Sequence, residues 1–99
     1  MTVTILPNDR SHPPGKLADV ELHFADHALA GLKLMGFAIW EHRGGTRTVT
    51  VRARQYVVNG ERRSFALLRP LTDAAALDRV RQLILEAYAA HERHPTTTA

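Results

Sequence analysis

From Leu17 to Phe24 hydrophobic and polar residues alternate: Ala18, Val20, Leu22 and Phe24 take one side, Asp19, Glu21 and His23 the other. A period of two predicts a strand with one buried face. Upstream, Val3, Ile5 and Leu6 fit a short first strand. Pro7, Pro13, Pro14 and Gly15 make residues 1–16 otherwise an extended segment. Ala25 to Ala28 form the next connection, with Asp26 as a turn residue.

Residues 29–40 (LAGLKLMGFAIW) predict a further strand with a fault in it. Leu32 and Leu34 share one parity, Phe37 and Ile39 the other, and the switch falls at Gly36. A one-residue slip reverses every side chain, so a bulge at Gly36 would restore a common face. A central strand buried on both sides needs no bulge. The pattern fits both arrangements.

Gly44-Gly45 places a hairpin loop within residues 41–46. The alternation then resumes from Arg47 to Val57 as one strand. Val49, Val51 and Ala53 point one way, and Thr48, Thr50, Arg52, Arg54 and Tyr56 the other. Asn59-Gly60 is a strong signal for a two-residue hairpin, because both positions tolerate positive φ. The next strand runs from about Arg62 to Leu68 and stops before Pro70.

Beyond it the period changes. Leu77, Val80, Ile84, Ala87, Tyr88 and His91 recur at helical spacing, which predicts a helix from Asp73 to about His91 capped by Thr72 or Asp73. Leu83 and Leu85 lie outside that stripe. The expected fold is therefore α+β: an antiparallel β-sheet meander of four to five strands with one long C-terminal helix packed on it. One domain spans residues 17–94, and residues 95–99 form a disordered tail.

Composition narrows the function classes. The chain has 99 residues, 44% hydrophobic and 23% charged, which suits one ordinary globular domain. It has no cysteine, so disulfides, thiolate zinc sites and cysteine nucleophiles are excluded. No apolar run reaches the length of a membrane span, and no amino-terminal leader pattern is visible, so a cytoplasmic protein is expected. The net charge of +3 says little, but its distribution says more. Between Arg43 and Arg69 stand seven of the eleven arginines and a single acid, Glu61. That is the footprint expected of a phosphate-binding face.

Arg52, Arg54 and Tyr56 are the centre of this candidate face, with Arg47 ahead of them and one of Arg62 and Arg63 joining from the next strand. Guanidinium groups bind phosphate bidentately, and tyrosine stacks on bases. The competing reading is a solvated face whose arginines pair with neighbouring acids. Other chemistry is poorly supported. His23 and His27 lack helical geometry, and His91 and His94 lack further ligands, so no metal or cofactor is expected. No nucleophile, base and orienting group come together, which argues against an enzyme or a small-molecule substrate. "RGGTR" lacks the strand-to-helix setting of a phosphate loop, and Trp40 fits a packing or dimer-edge anchor better than a base-stacking platform.

The stretches "ADVELHF", "LKLMGFAIWE", "VTVRARQYVVNGERRSFALLRP" and "LILEAY" resemble the stage V sporulation protein G (SpoVG) family, also called septation regulators. The resemblance covers roughly residues 17–90. It departs at Ala53, Arg54 and Gln55, where the family carries a proline followed by a serine and basic residues, and in a longer stretch between Gly60 and Pro70. It implies a cytoplasmic regulator that binds DNA, and in some members RNA, as a homodimer. Strand pairing through exposed sheet edges is the expected mode of dimerisation. The rival is a protein-interaction module that meets an acidic partner and has no nucleic-acid role.

Overall fold

The computed structural model describes residues 1–9 and 12–93; Ser11, His94 and the tail 95–99 lie outside them. Four antiparallel strands, β1 (Thr2–Pro7), β2 (Lys16–His23), β3 (Lys33–Glu41) and β4 (Arg47–Thr50), form one sheet in sequential order. Two more, β5 (Ala53–Val58) and β6 (Glu61–Ala66), form a separate two-stranded ribbon. One helix, α1 (Ala75–Arg93), follows. The fold is α+β, with the helix packed on the four-stranded sheet.

The alternation in β2 does what its period implies. Ala18, Val20 and Leu22 are buried, and register places Val3 and Ile5 of β1 and Phe37 and Ile39 of β3 on the same side. Val49 of β4 sits opposite Ile39 and completes the layer. The helix closes it from above through Ile84, which is 0% exposed, with Val80, Leu85 and Tyr88 partly buried around it. Leu85 thus joins the core although it lies off the main stripe, while Leu83 stays exposed. Asp73 caps the helix: its Oδ1 accepts the Ala75 amide at 2.9 Å, satisfying a donor the first turn leaves open.

Gly36 sits in a bulge. Val20 pairs with Phe37 and Leu22 with Leu34, so Met35 and Gly36 together oppose Glu21. The extra residue brings Leu34, Phe37 and Ile39 to one face, while Ala38 between them is buried on the other. Gly36 has φ +102°, a conformation that L side chains rarely adopt. On the outer face Glu21 is only 9% exposed. It accepts from His23 Nε2 at 2.9 Å and from Lys33 Nζ at 3.2 Å, and these bonds, His23 first, hold its carboxyl below the ordinary range.

Two expectations need correction. The strand expected from Leu29 starts at Lys33, because His27–Leu29 form a single 3-10 turn. The strand expected over residues 47–57 is two strands, broken at Val51 and Arg52. The four-stranded sheet is the expected antiparallel meander, and the break adds a separate two-stranded ribbon to it. The break lies beside the bulge. A bulge bends its strand and locally disrupts the ladder; β2 pairs with β3 on both sides of it, whereas β4 pairs with β3 only from Ala38 to Glu41. Past Thr50 the chain leaves β3, whose Lys33–Phe37 stretch pairs with β2 but not with β4.

Asn59 and Gly60 form the ribbon turn with φ +50° and +79°. A β-carbon at Gly60 would meet no atom within 4 Å, so only backbone conformation opposes a side chain there. Gly60→Val is expected to lower stability by about 1 kcal/mol or more, read as a lower urea midpoint. An unchanged midpoint would show that this turn does not constrain the folded state.

Candidate nucleic-acid interface

The two-residue turn sets the ribbon register: Val58 pairs with Glu61, Tyr56 with Arg63 and Arg54 with Phe65. Directly opposed residues share a face. Arg54, Tyr56, Arg63 and Phe65 therefore form a checkerboard in which arginines and aromatic rings alternate across the two strands. Val57 and Arg62 pair on the opposite face, alongside Gln55 and Ser64. The question left open by the sequence is thus resolved: Arg63, not Arg62, lies with Arg54 and Tyr56.

The rings of Tyr56 and Phe65 have centroids 5.7 Å apart and meet at 57°, so they do not stack on each other. Each residue is 39% exposed. Arg63 Nη2 lies 3.3 Å from Glu61 Oε2, an exposed pair of about 0–1 kcal/mol that a phosphate can displace. Among the described residues Arg52, Arg54 and Arg62 take part in no salt bridge. Every residue of β5 is exposed, as is β6 up to Ala66.

Arg52 lies at the base of the ribbon, where its carbonyl accepts the Leu67 amide at 2.9 Å. Its aliphatic stem covers Gly36 so closely that a β-carbon on the glycine would stand 2.5 Å from Arg52 Cβ. Between the ribbon base and β3 opens a cleft of about 650 Å³. Its walls are Leu34, Phe37, Val51 and Leu68, with Arg52 and Arg54 also lining it.

Arg47 is placed elsewhere. It belongs to β4, and its Nη1 and Nη2 donate to the Glu92 carboxylate at 2.6 and 2.9 Å while Nε donates to Glu41 at 3.3 Å. The guanidinium also lies 5.1 Å from the Tyr88 ring centroid. The hydrogen bonds to Glu92 raise the Arg47 pKa further, and they hold the Glu92 carboxyl below its ordinary value. This arginine clamps the last turns of α1 to the sheet edge. Thr48 and Thr50 do not line up with the ribbon arginines either. Thr50 Oγ1 accepts from the Trp40 indole at 3.0 Å, and Thr48 Oγ1 bonds His42 Nε2 at 2.8 Å. Trp40 packs half-buried on the sheet face away from the helix.

Phe65 was missed by sequence reasoning, although the signal was present: a two-residue Asn-Gly turn places Phe65 opposite Arg54 by counting back from it. Gly44 and Gly45 form a tight turn at a hairpin tip, where the Gly45 amide is already bonded to the His42 carbonyl at 3.0 Å. Among the described residues no three histidine or acidic side chains gather as metal ligands. No helix among them is long and apolar enough to cross a membrane. No protein-family model, curated protein or solved structure matches the chain.

Proposed function

We propose that this protein binds nucleic acid through the arginine and aromatic face of its β5–β6 ribbon. The observation that carries the reading is the checkerboard of Arg54, Tyr56, Arg63 and Phe65, four exposed side chains of which the arginines hold no strong internal partner. Guanidinium groups so placed suit phosphates, and the rings between them suit bases. The sequence resemblance to the SpoVG family supports the same reading: a non-enzymatic, cytoplasmic regulator acting as a homodimer. A two-stranded ribbon is marginally stable alone in water, and strand edges on the ribbon and on β1 and β4 offer sites for pairing with a second copy. Pairing by edges leaves the checkerboard face open.

The test is a double substitution, Arg54→Ala with Arg63→Ala, compared with the wild type in a salt titration of binding to DNA and RNA pools. Affinity should fall across all sequences, and the salt slope should flatten by up to about 2, one per lost phosphate contact. Light scattering should show a dimer for both proteins. A folded double variant with wild-type affinity and salt slope removes these arginines from the interface. Failure to bind either pool, with binding to an acidic polypeptide instead, selects the protein-interaction reading.

A further inference from the structure

We infer that the nucleic acid taken by the ribbon is single-stranded, with unpaired bases lying on the rings of Tyr56 and Phe65. The inference rests on the nucleic-acid reading above and adds the form of the ligand. Its first ground is the exposure of two aromatic side chains, 39% each, on neighbouring strands of one face. Stacking needs a base whose flat face is free. In a duplex, neighbouring base pairs cover those faces, so the interior of a helix cannot use this platform. In a single strand they are open, and every base has one, which makes such a platform tolerant of sequence.

The second ground is the placement of charge around the rings. Arg54 stands directly across from Phe65, and Arg63 directly across from Tyr56. Each ring thus has a cation beside it for the phosphate of the base that it carries. Groove reading needs hydrogen-bonding side chains aimed at base edges. On the ring face that task would fall to Arg54, Arg63 and the Tyr56 hydroxyl alone, since Gln55 and Ser64 lie on the opposite face with Arg62.

The cleft beside the ribbon base is the third ground. Its apolar walls at Leu34, Phe37, Val51 and Leu68, joined by Arg52 and Arg54, line an open cleft of about 650 Å³. That is room for a base leaving the platform, with its phosphate held by the arginines. Only a strand without a paired complement presents a base in this way at no cost of unpairing.

The test uses the whole chain and fluorescence anisotropy with a labelled mixed-sequence oligonucleotide, either single-stranded or annealed to its complement. The single strand should bind at least tenfold more tightly than the duplex. Phe65→Leu keeps an apolar residue but removes the ring, and should weaken single-strand binding roughly tenfold or more. Phe65→Trp should restore it, and duplex affinity should respond to neither. Duplex binding equal to or tighter than single-strand binding overturns the inference while leaving the nucleic-acid reading intact, and needs no variant to fold. So does duplex binding that is lost in Gln55→Ala with Arg62→Ala but ignores Phe65. Absence of binding to either form defeats the nucleic-acid reading itself, and the inference with it.

Discussion

Ile84→Ala should cost the domain about 2–5 kcal/mol, the range for removing a buried aliphatic side chain and leaving a cavity. Ile84 is the buried residue of α1, at 0% exposure, and it shares one buried cluster with Val20, Leu22, Phe37, Ile39 and Val49. Its neighbours on the helix are only partly buried, so none replaces its contact area. A domain of this size has about 5–15 kcal/mol in total, and the substitution removes a large share of it. The urea midpoint should drop with the slope of the transition unchanged. The bidentate Arg47–Glu92 pair would still hold the far end of the helix at an exposed site, where ion pairs contribute about 0–1 kcal/mol. A loss below about 1 kcal/mol would mean that the helix is held by something other than this core.

Gly36→Ala should be nearly as damaging, by a different route. At φ +102° a side chain is strained by about 1–2 kcal/mol. The new methyl would also stand 2.5 Å from Arg52 Cβ and 2.9 Å from Arg52 Cδ, and such crowding costs about 1–3 kcal/mol. The Cβ of Arg52 is tied to the backbone and cannot swing aside like the tip of the side chain. Relief therefore requires the ribbon base to move away from β3. Arg52→Gly removes the obstructing atoms, so combining it with Gly36→Ala should cost less than the two effects added, with a coupling of about 0.5–3 kcal/mol. Simple additivity in that double-mutant cycle would show that Arg52 does not pack on Gly36. The same variant bears on function, because the checkerboard is oriented by the ribbon base that the clash displaces.

Much of the local structure was legible from residue order. The period-two pattern of Ala18, Val20 and Leu22 identified the buried face of β2, and the helical stripe through Val80, Ile84 and Tyr88 identified the docked side of α1. Both are readable because side-chain direction repeats with the local backbone geometry. Asn59-Gly60 marked a turn that needs positive φ at two adjacent residues, and the observed angles of +50° and +79° meet that need. The parity switch at Gly36 showed that a bulge was one of two solutions. The grouping of Arg54 with Tyr56 likewise followed from spacing on one strand.

Tertiary structure decided where the alternation stops being one strand. Val49, Val51 and Ala53 keep their parity through the break, so nothing within residues 47–57 reveals it. It falls where β4 stops pairing with β3 at Ala38, next to the bulge at Gly36. Partners distant in sequence also separated the arginines, which look alike in composition. Arg47 meets Glu92, 45 residues away, and becomes a clamp between sheet and helix. Arg52 lays its stem over Gly36, Arg63 meets only the exposed Glu61, and Arg54 is in no salt bridge among the described residues. Periodicity reports which way a side chain points, because that depends on its own backbone. What the side chain meets there depends on how the chain returns, and only the packed fold determines that.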